Sequence, residues 1–215
     1  YAGLLSVTHA AFYGIGAYAT GILMLSYGFG FFTSMVTGMV IAGCAAWCIA
    51  IVSGKFKGDY YALVSFGFNV IVFSILLNWQ SLTRGPLGIP GIPKPVVFGT
   101  MLASNSSFLI LSLVALACVH ALSHGIVSSS FGRTLKAIRE DEEALRIFGY
   151  RTAQYKRIIF VIGAMLAAVA GSLFASYISY IDPSTSTLNE SIFILSIIIL
   201  GGLANLRGSV AGAVF

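Results

Sequence analysis

The chain has 215 residues, 58% of them hydrophobic and only 9% charged, with 12 Lys and Arg against 7 Asp and Glu and a net charge of +5. Soluble domains carry roughly 25% charged residues, so this set cannot furnish a water-facing surface, and a mean hydropathy of +0.94 points to membrane spans. A soluble enzyme, a disordered chain and a secreted disulfide scaffold are excluded, and the basic balance bears on membrane orientation rather than on a nucleic-acid partner.

Uncharged runs measured against a span of about 20 residues predict six transmembrane helices, over 5–27, 30–53, 60–78, 98–123, 158–181 and 191–206, with a seventh starting near Gly208. The expected fold is therefore all-α, a polytopic transmembrane helix bundle of six to seven spans. An outer-membrane barrel would show shorter, alternating segments. Gly14 and Gly16 in the first run and Gly201-Gly202 in the last are candidate break points, tolerated where backbone lines a cavity. No initiator Met opens the chain and both ends run into apolar stretches. Residues 1–215 are thus expected to be a piece of a longer protein, one transmembrane domain carrying a charged loop at 131–157.

In the first run, Ser6, Thr8 and His9 are polar at the edge of a span, and Asn69 is polar inside the third. Intramembrane polar residues are candidates for a translocation path, with interhelical hydrogen bonding as the alternative. Cys44, Cys48 and Cys118 sit in apolar runs without metal-ligand spacing, so they are expected to be small packing residues and no metal site is expected. Asp59 is placed to cap a helix starting at Tyr60.

Between the third and fourth runs lies Arg84-Gly-Pro-Leu-Gly-Ile-Pro-Gly-Ile-Pro93, followed by Lys94-Pro95. Gly85, Pro86, Gly88, Pro90, Gly91 and Pro93 forbid a regular helix there. The loop reads as an external contact or lid, or as a rigid connector.

Eleven of the 19 charges fall between Arg133 and Arg157. Leu135, Ile138, Leu145 and Phe148 recur at helical spacing among them, Glu142 and Arg146 form an i, i+4 pair, and Gly149 stops the helix. The four consecutive acids Glu140 to Glu143 would be repelled by anionic headgroups, so this amphipathic helix is expected to dock a protein partner rather than lie on lipid, with a solvated loop helix as the alternative. Farther on, Gly163, Ala167, Gly171 and Ala175 recur every four residues and predict a close helix contact. Asp182 and Glu190 flank the next turn, with no acidic residue placed deep in a span. No Gly-x-x-x-x-Gly-Lys-Ser/Thr is present, so the chain does not bind ATP by a P-loop.

Placing the 124–157 loop in the cytoplasm puts Lys55, Lys57, the seven Lys and Arg of 133–157, and Arg207 inside, leaving only Arg84 and Lys94 outside. That distribution follows the positive-inside rule.

Five segments, in order, resemble one family. LLSVTHAAFYGIGAY (4–18), GKFKGDYYALVSFGF (54–68), LTRGPLGIPGIP (82–93), FGRTLKAIREDEEALRIFGY (131–150) and IIILGGLANLRGSVAGAV (197–214) are similar to the LivM-like permeases of branched-chain amino acid ABC importers. Glu143-Ala144-Leu145-x-x-x-Gly149 resembles the Glu-Ala-Ala-x-x-x-Gly loop of ABC importer permeases. The resemblance implies an ABC importer permease fold and a translocation subunit rather than an enzyme. It implies that Arg139, Glu140, Asp141, Glu143, Ala144 and Gly149 belong to a segment coupled to ATPases. Two cytoplasmic ATP-binding subunits, which hold ATP-Mg, a sister permease and a periplasmic substrate-binding protein are the implied partners. The chain itself is expected to bind no cofactor. The implied location is the bacterial inner membrane, multi-pass. Thr8 stands where relatives often have Gly, and Asn69 where many have Glu. Urea, short amides or related small solutes are alternative cargoes, and an ion-coupled secondary carrier is the competing class.

Overall fold

The computed structural model describes residues 6–54, 56, 59–97, 100–102, 104–202 and 205–213. Apolar runs become helices because in lipid every backbone N–H and C=O must be bonded within the protein. In chain order these are α1 (His9–Ser26), α2 (Phe31–Ser53), α3 (Asp59–Asn78), the single turn α4 (Gln80–Thr83), α5 (Asn105–Ser128), α6 (Ser130–Glu140), α7 (Glu142–Ile147), α8 (Thr152–Ile178), α9 (Leu188–Leu200) and α10 (Leu206–Gly212). Two short antiparallel pairings, Ile89–Pro90 with Tyr180–Ile181 and Val96–Val97 with Thr100–Met101, and two 3-10 turns, Gly85–Leu87 and Pro183–Ser186, complete the described elements.

Among the described residues α2, α3, α5 and α8 are long and apolar enough to cross a membrane. The hub is α1, which buries Ala10, Ala11, Phe12, Gly14, Gly16, Ala17, Tyr18, Thr20, Gly21 and Met24 against its neighbours. Its small and hydroxylated residues are those of a helix that faces other helices, where close packing and hydrogen bonds replace the hydrophobic effect as the source of association. Thr20 Oγ1 donates to Ser172 Oγ of α8 at 2.8 Å, and Ser172 Oγ reaches Gly16 O at 3.3 Å. Met24 lies against Ser176. Helices α1 and α8 are therefore parallel, with residue i of one level with i + 152 of the other. Helix α2 closes the trio with a face of Ser34, Gly38, Ala42, Ala46 and Ala50, all buried.

Several boundaries move. The predicted 98–123 span starts later, at Asn105, because Val96–Val97 and Thr100–Met101 pair as strands, and it runs on to Ser128. The predicted 158–181 span starts earlier, at Thr152, taking Lys156 and Arg157 into its first turns. Gly14 and Gly16 do not break α1. They are contact points: a Cβ on Gly14 would strike Ser186, and one on Gly16 would strike the Ala168 backbone. The α8 stripe is shifted at its first turns: Gly163 is exposed with open space beside it, and the buried face is Ala164, Ala168, Gly171, Ser172, Ala175 and Ser176. Cys44, Cys48 and Cys118 lie exposed on the outside of the bundle rather than packed within it. Gly201-Gly202 does end α9, and α10 folds back so that Gly201 and Gly208 touch backbone to backbone. The side chains of Asp59 and Arg207, the residues Lys55 and Lys57, and both chain ends lie outside the described residues.

Candidate functional site

Three places collect the polar residues that a lipid-embedded bundle does not otherwise need. The first lies inside the bundle. By the α1–α8 register, His9 is level with Val161, nine residues or about 14 Å along α8 from its start at Thr152. Residues 6–8, ahead of α1, are thus non-helical backbone within the protein, and their polar groups are met by side chains. Ser6 Oγ and Thr8 Oγ1 are 2.7 Å apart, Val7 N–H donates to Ser65 Oγ at 3.2 Å, and His9 Nδ1 lies 3.2 Å from Ser6 O. After α8 the chain dips back as a strap, Pro183–Ser186, that seats Ser186 against Gly14. Asn69 Nδ2 donates to Ser186 O at 3.4 Å, Ser191 Oγ donates to Asn69 Oδ1 at 3.4 Å, and Ala10 N–H donates to Ser191 Oγ at 3.2 Å. The structure thus brings Ser6, Thr8, His9 and Asn69 into one cluster. It adds Ser65, Ser186 and Ser191, which the spacing did not single out. All but His9 are buried, and Ser186 Oγ has no hydrogen-bond partner among the described residues.

The strap also moves Glu190. It does not flank a turn at the bundle's end. It sits in the first turn of α9, beside the Ser191 that binds Ala10 and Asn69. Asn69 lies at the midpoint of α3. Glu190 is exposed, and the described residues offer it no salt bridge. An acid in a helix's first turn gains typically 0.3–1 kcal/mol from the dipole, whereas a carboxylate at the centre of a lipid-facing span costs about 2.5–3.5 kcal/mol or more. Hydrocarbon around Glu190 would therefore disfavour its charged form.

The second place is the charged segment. It is two helices, not one: Asp141 is extended (φ −151°, ψ 99°) and separates α6 from α7. Its Oδ1 accepts from the N–H groups of Glu143 and Ala144, both at 3.0 Å, capping α7. Gly149, at φ +85°, adopts the left-handed conformation that ends α7. Leu135 and Ile138 are buried, and Phe131 stacks on Tyr155 with ring centroids 5.2 Å apart, so α6 is held against the start of α8. Phe148 does not join that inner face. Phe148 and Ile147 stand 78% and 86% exposed at the tip. Arg139, Glu140, Asp141, Glu143 and Gly149 are exposed around them.

Spacing placed Glu142 only in a pair with Arg146. In the structure it is the clamp between α7 and α8. Its carboxylate meets Lys156 Nζ at 2.6 Å and Arg146 at 2.8 Å, and accepts from the Thr152 hydroxyl at 3.0 Å. Arg146 Nε in turn donates to Thr152 Oγ1 at 3.1 Å. A cavity of about 30 Å³ beside the clamp is lined by Ser53, Gly54, Phe56 and Tyr61 as well as Lys156 and Arg157, so the turn after α2 lies at this same end of the bundle. Burial alone would raise the Glu142 carboxyl, but the Lys156 bond and charge, the Thr152 bond and the Arg146 charge outweigh it and hold the group below its ordinary value of 4.5. A depressed carboxyl contributes stability that is complete above the unfolded value and is lost as pH falls through the folded one. The α7–α8 contact is thus expected to hold at neutral pH and weaken below about pH 4.5. Glu142→Gln is expected to remove that acid dependence and cost about 1 kcal/mol at pH 7, read from thermal unfolding of the detergent-purified protein across this range.

The third place is the Pro-rich loop. Ile89 and Ile92 are buried against Ile181, and Ile92 also meets Gly21 of α1, while Pro86, Pro90, Gly91 and Pro93 face outward. Gly85 and Gly88 are buried, and a Cβ on Gly88 would strike the Ile181 carbonyl. Gly91 N–H donates to Ser179 O at 2.9 Å, and Tyr180 Oη donates to Leu87 O at 3.2 Å. The loop is an ordered cap tied to the end of α8.

A bundle of long apolar helices with a buried polar cluster and a protruding, capped charged segment defines a polytopic membrane protein. The chain matches, over residues 1–215, the family described as the branched-chain amino acid transport system permease component, and it belongs to that family. It is 34% identical to the high-affinity branched-chain amino acid transport system permease protein LivM of Salmonella typhimurium, over 99% of this chain and 55% of that protein. It is 35% identical to LivM of Escherichia coli K12, over 94% of this chain and 53% of that protein. The permease protein LivH of Escherichia coli K12 is 26% identical, over 98% of this chain and 73% of its own length. The chain thus spans about half the length of the LivM proteins it matches. No solved structure matches it.

Proposed function

We propose that the protein is the transmembrane permease subunit of an ATP-driven ABC importer that carries branched-chain or other hydrophobic amino acids across the bacterial inner membrane. The match of the whole chain to a permease family carries this reading. The exposed apolar tip Ile147-Phe148, flanked by charge and fixed to α8 by Glu142, supports a docking role for the 131–157 segment. Two cytoplasmic ATP-binding subunits bind there and hydrolyse ATP. A sister permease completes the membrane pair, and a periplasmic binding protein delivers the solute on the side of the Pro-rich cap.

The mechanism follows the contacts. Closure of the ATPases on ATP moves α6 and α7. The Glu142–Lys156 pair passes that motion to the start of α8, and α8 carries α1 through Thr20, Ser172 and the close Gly16–Ala168 and Gly171–Tyr13 approaches. Helix α1 begins in the cluster shared with α3 and α9, so a shift of α1 changes which of those hydroxyl and amide groups face each other. Only contacts that differ between the two states can drive such a change. The full-length protein, tagged and purified from its native membrane in mild detergent, is expected to bring down two P-loop ATPase subunits and a second permease. Recovery of a lone chain that still transports would refute the assembly.

A further inference from the structure

We propose that Glu190 lines a water-filled path at the middle of the membrane and receives the primary ammonium group of the transported solute. The inference rests on the permease reading and names a contact within it. The strap Pro183–Ser186 lowers the start of α9 into the bundle, and Ser191, the next residue, is fixed to Ala10 and Asn69. Glu190 is held there at the level of the centre of α3, exposed on this chain, with exposed Asn189 beside it. No described residue pairs with it, and the helix dipole is too weak to keep a bare carboxylate in hydrocarbon. The carboxylate therefore faces water or a cation. A zwitterionic amino acid presents one mobile cation, its ammonium group, whose three donors suit a carboxylate acceptor and an adjacent amide oxygen.

The test uses the full-length chain assembled with its partner subunits. Glu190→Cys, with the other cysteines replaced by Ser, is treated with a membrane-impermeant, charged methanethiosulfonate, and the thiol is expected to react from water. An unreactive thiol would place Glu190 in lipid or against a fixed protein partner and overturn the proposal. In parallel, Glu190→Gln is expected to lower ATP-driven uptake roughly tenfold or more, the loss of one charge-assisted bond, while ATP hydrolysis stimulated by the loaded binding protein persists. Uptake at the wild-type rate would also overturn it. Should the Gln variant fail to assemble, the labelling decides. A wild-type complex that takes up no amino acid under ATP would instead fault the permease reading, a result separable from either variant.

Discussion

Replacing Ile147 and Phe148 together with Asp is expected to abolish ATP-driven uptake while leaving the protein inserted and folded. Both side chains are large, apolar and almost free of contacts within the chain, at 86% and 78% exposed, so their removal should change its own stability by no more than about 0.5 kcal/mol. In a docked complex each would bury roughly 1.5–3 kcal/mol of apolar surface, and an Asp in its place adds an unpaired charge. Together that is a loss of at least about 3 kcal/mol, more than a hundredfold in affinity. The tip is well suited to such a contact because its backbone is fixed: Asp141 caps α7, and Glu142 ties it to Lys156. Co-purification of the ATPase subunits and uptake are the readouts. Wild-type levels of both would remove the tip from the interface.

Gly171→Ala is expected to be among the most damaging small substitutions in the bundle, and Gly163→Ala, eight residues earlier on the same helix, close to neutral. A Cβ on Gly171 would fall on the carbonyl of Tyr13, with the Tyr13 carbonyl carbon 2.8 Å away. Neither atom can give way without moving α1, the most buried helix. Overpacking against a yielding side chain costs about 1–3 kcal/mol, and a backbone obstacle places this case at about 3 kcal/mol. Nothing lies within 4 Å of a Cβ on Gly163. Thermal unfolding in detergent and yield of inserted protein should separate the two variants, and equal behaviour would contradict the α1–α8 packing.

That contrast also marks how far the sequence could be read. The four-residue recurrence of small side chains correctly placed a close contact on α8, because small residues let helices approach. It could not choose between two adjacent stripes, and the buried one is set by where α1 lies. Run length located the helices, since an uncharged stretch of about 20 residues has few other uses. It placed Glu190 at a turn because Asp182, Pro183 and the Ser and Thr residues after it look like an exposed connector. Only the packing of Ser186 on Gly14 shows that this connector descends into the bundle. Glu142 and Arg146 were legible as an i, i+4 pair. The stronger partner, Lys156, is 14 residues away across a turn and a second helix, beyond any local periodicity. The split of the charged helix at Asp141 has a local signal: an Asp two residues ahead of Glu143 and three ahead of Ala144 is an N-cap pattern, here masked by the run of four acids.

The central claim is that this chain moves amino acids only as part of an ATP-driven assembly. The direct measurement is uptake of labelled leucine, isoleucine or valine into proteoliposomes holding the full-length protein, its sister permease and the two ATPases, with and without ATP and the binding protein. Accumulation that requires both is the predicted result. Accumulation driven by an ion gradient in the absence of the ATPases would contradict it.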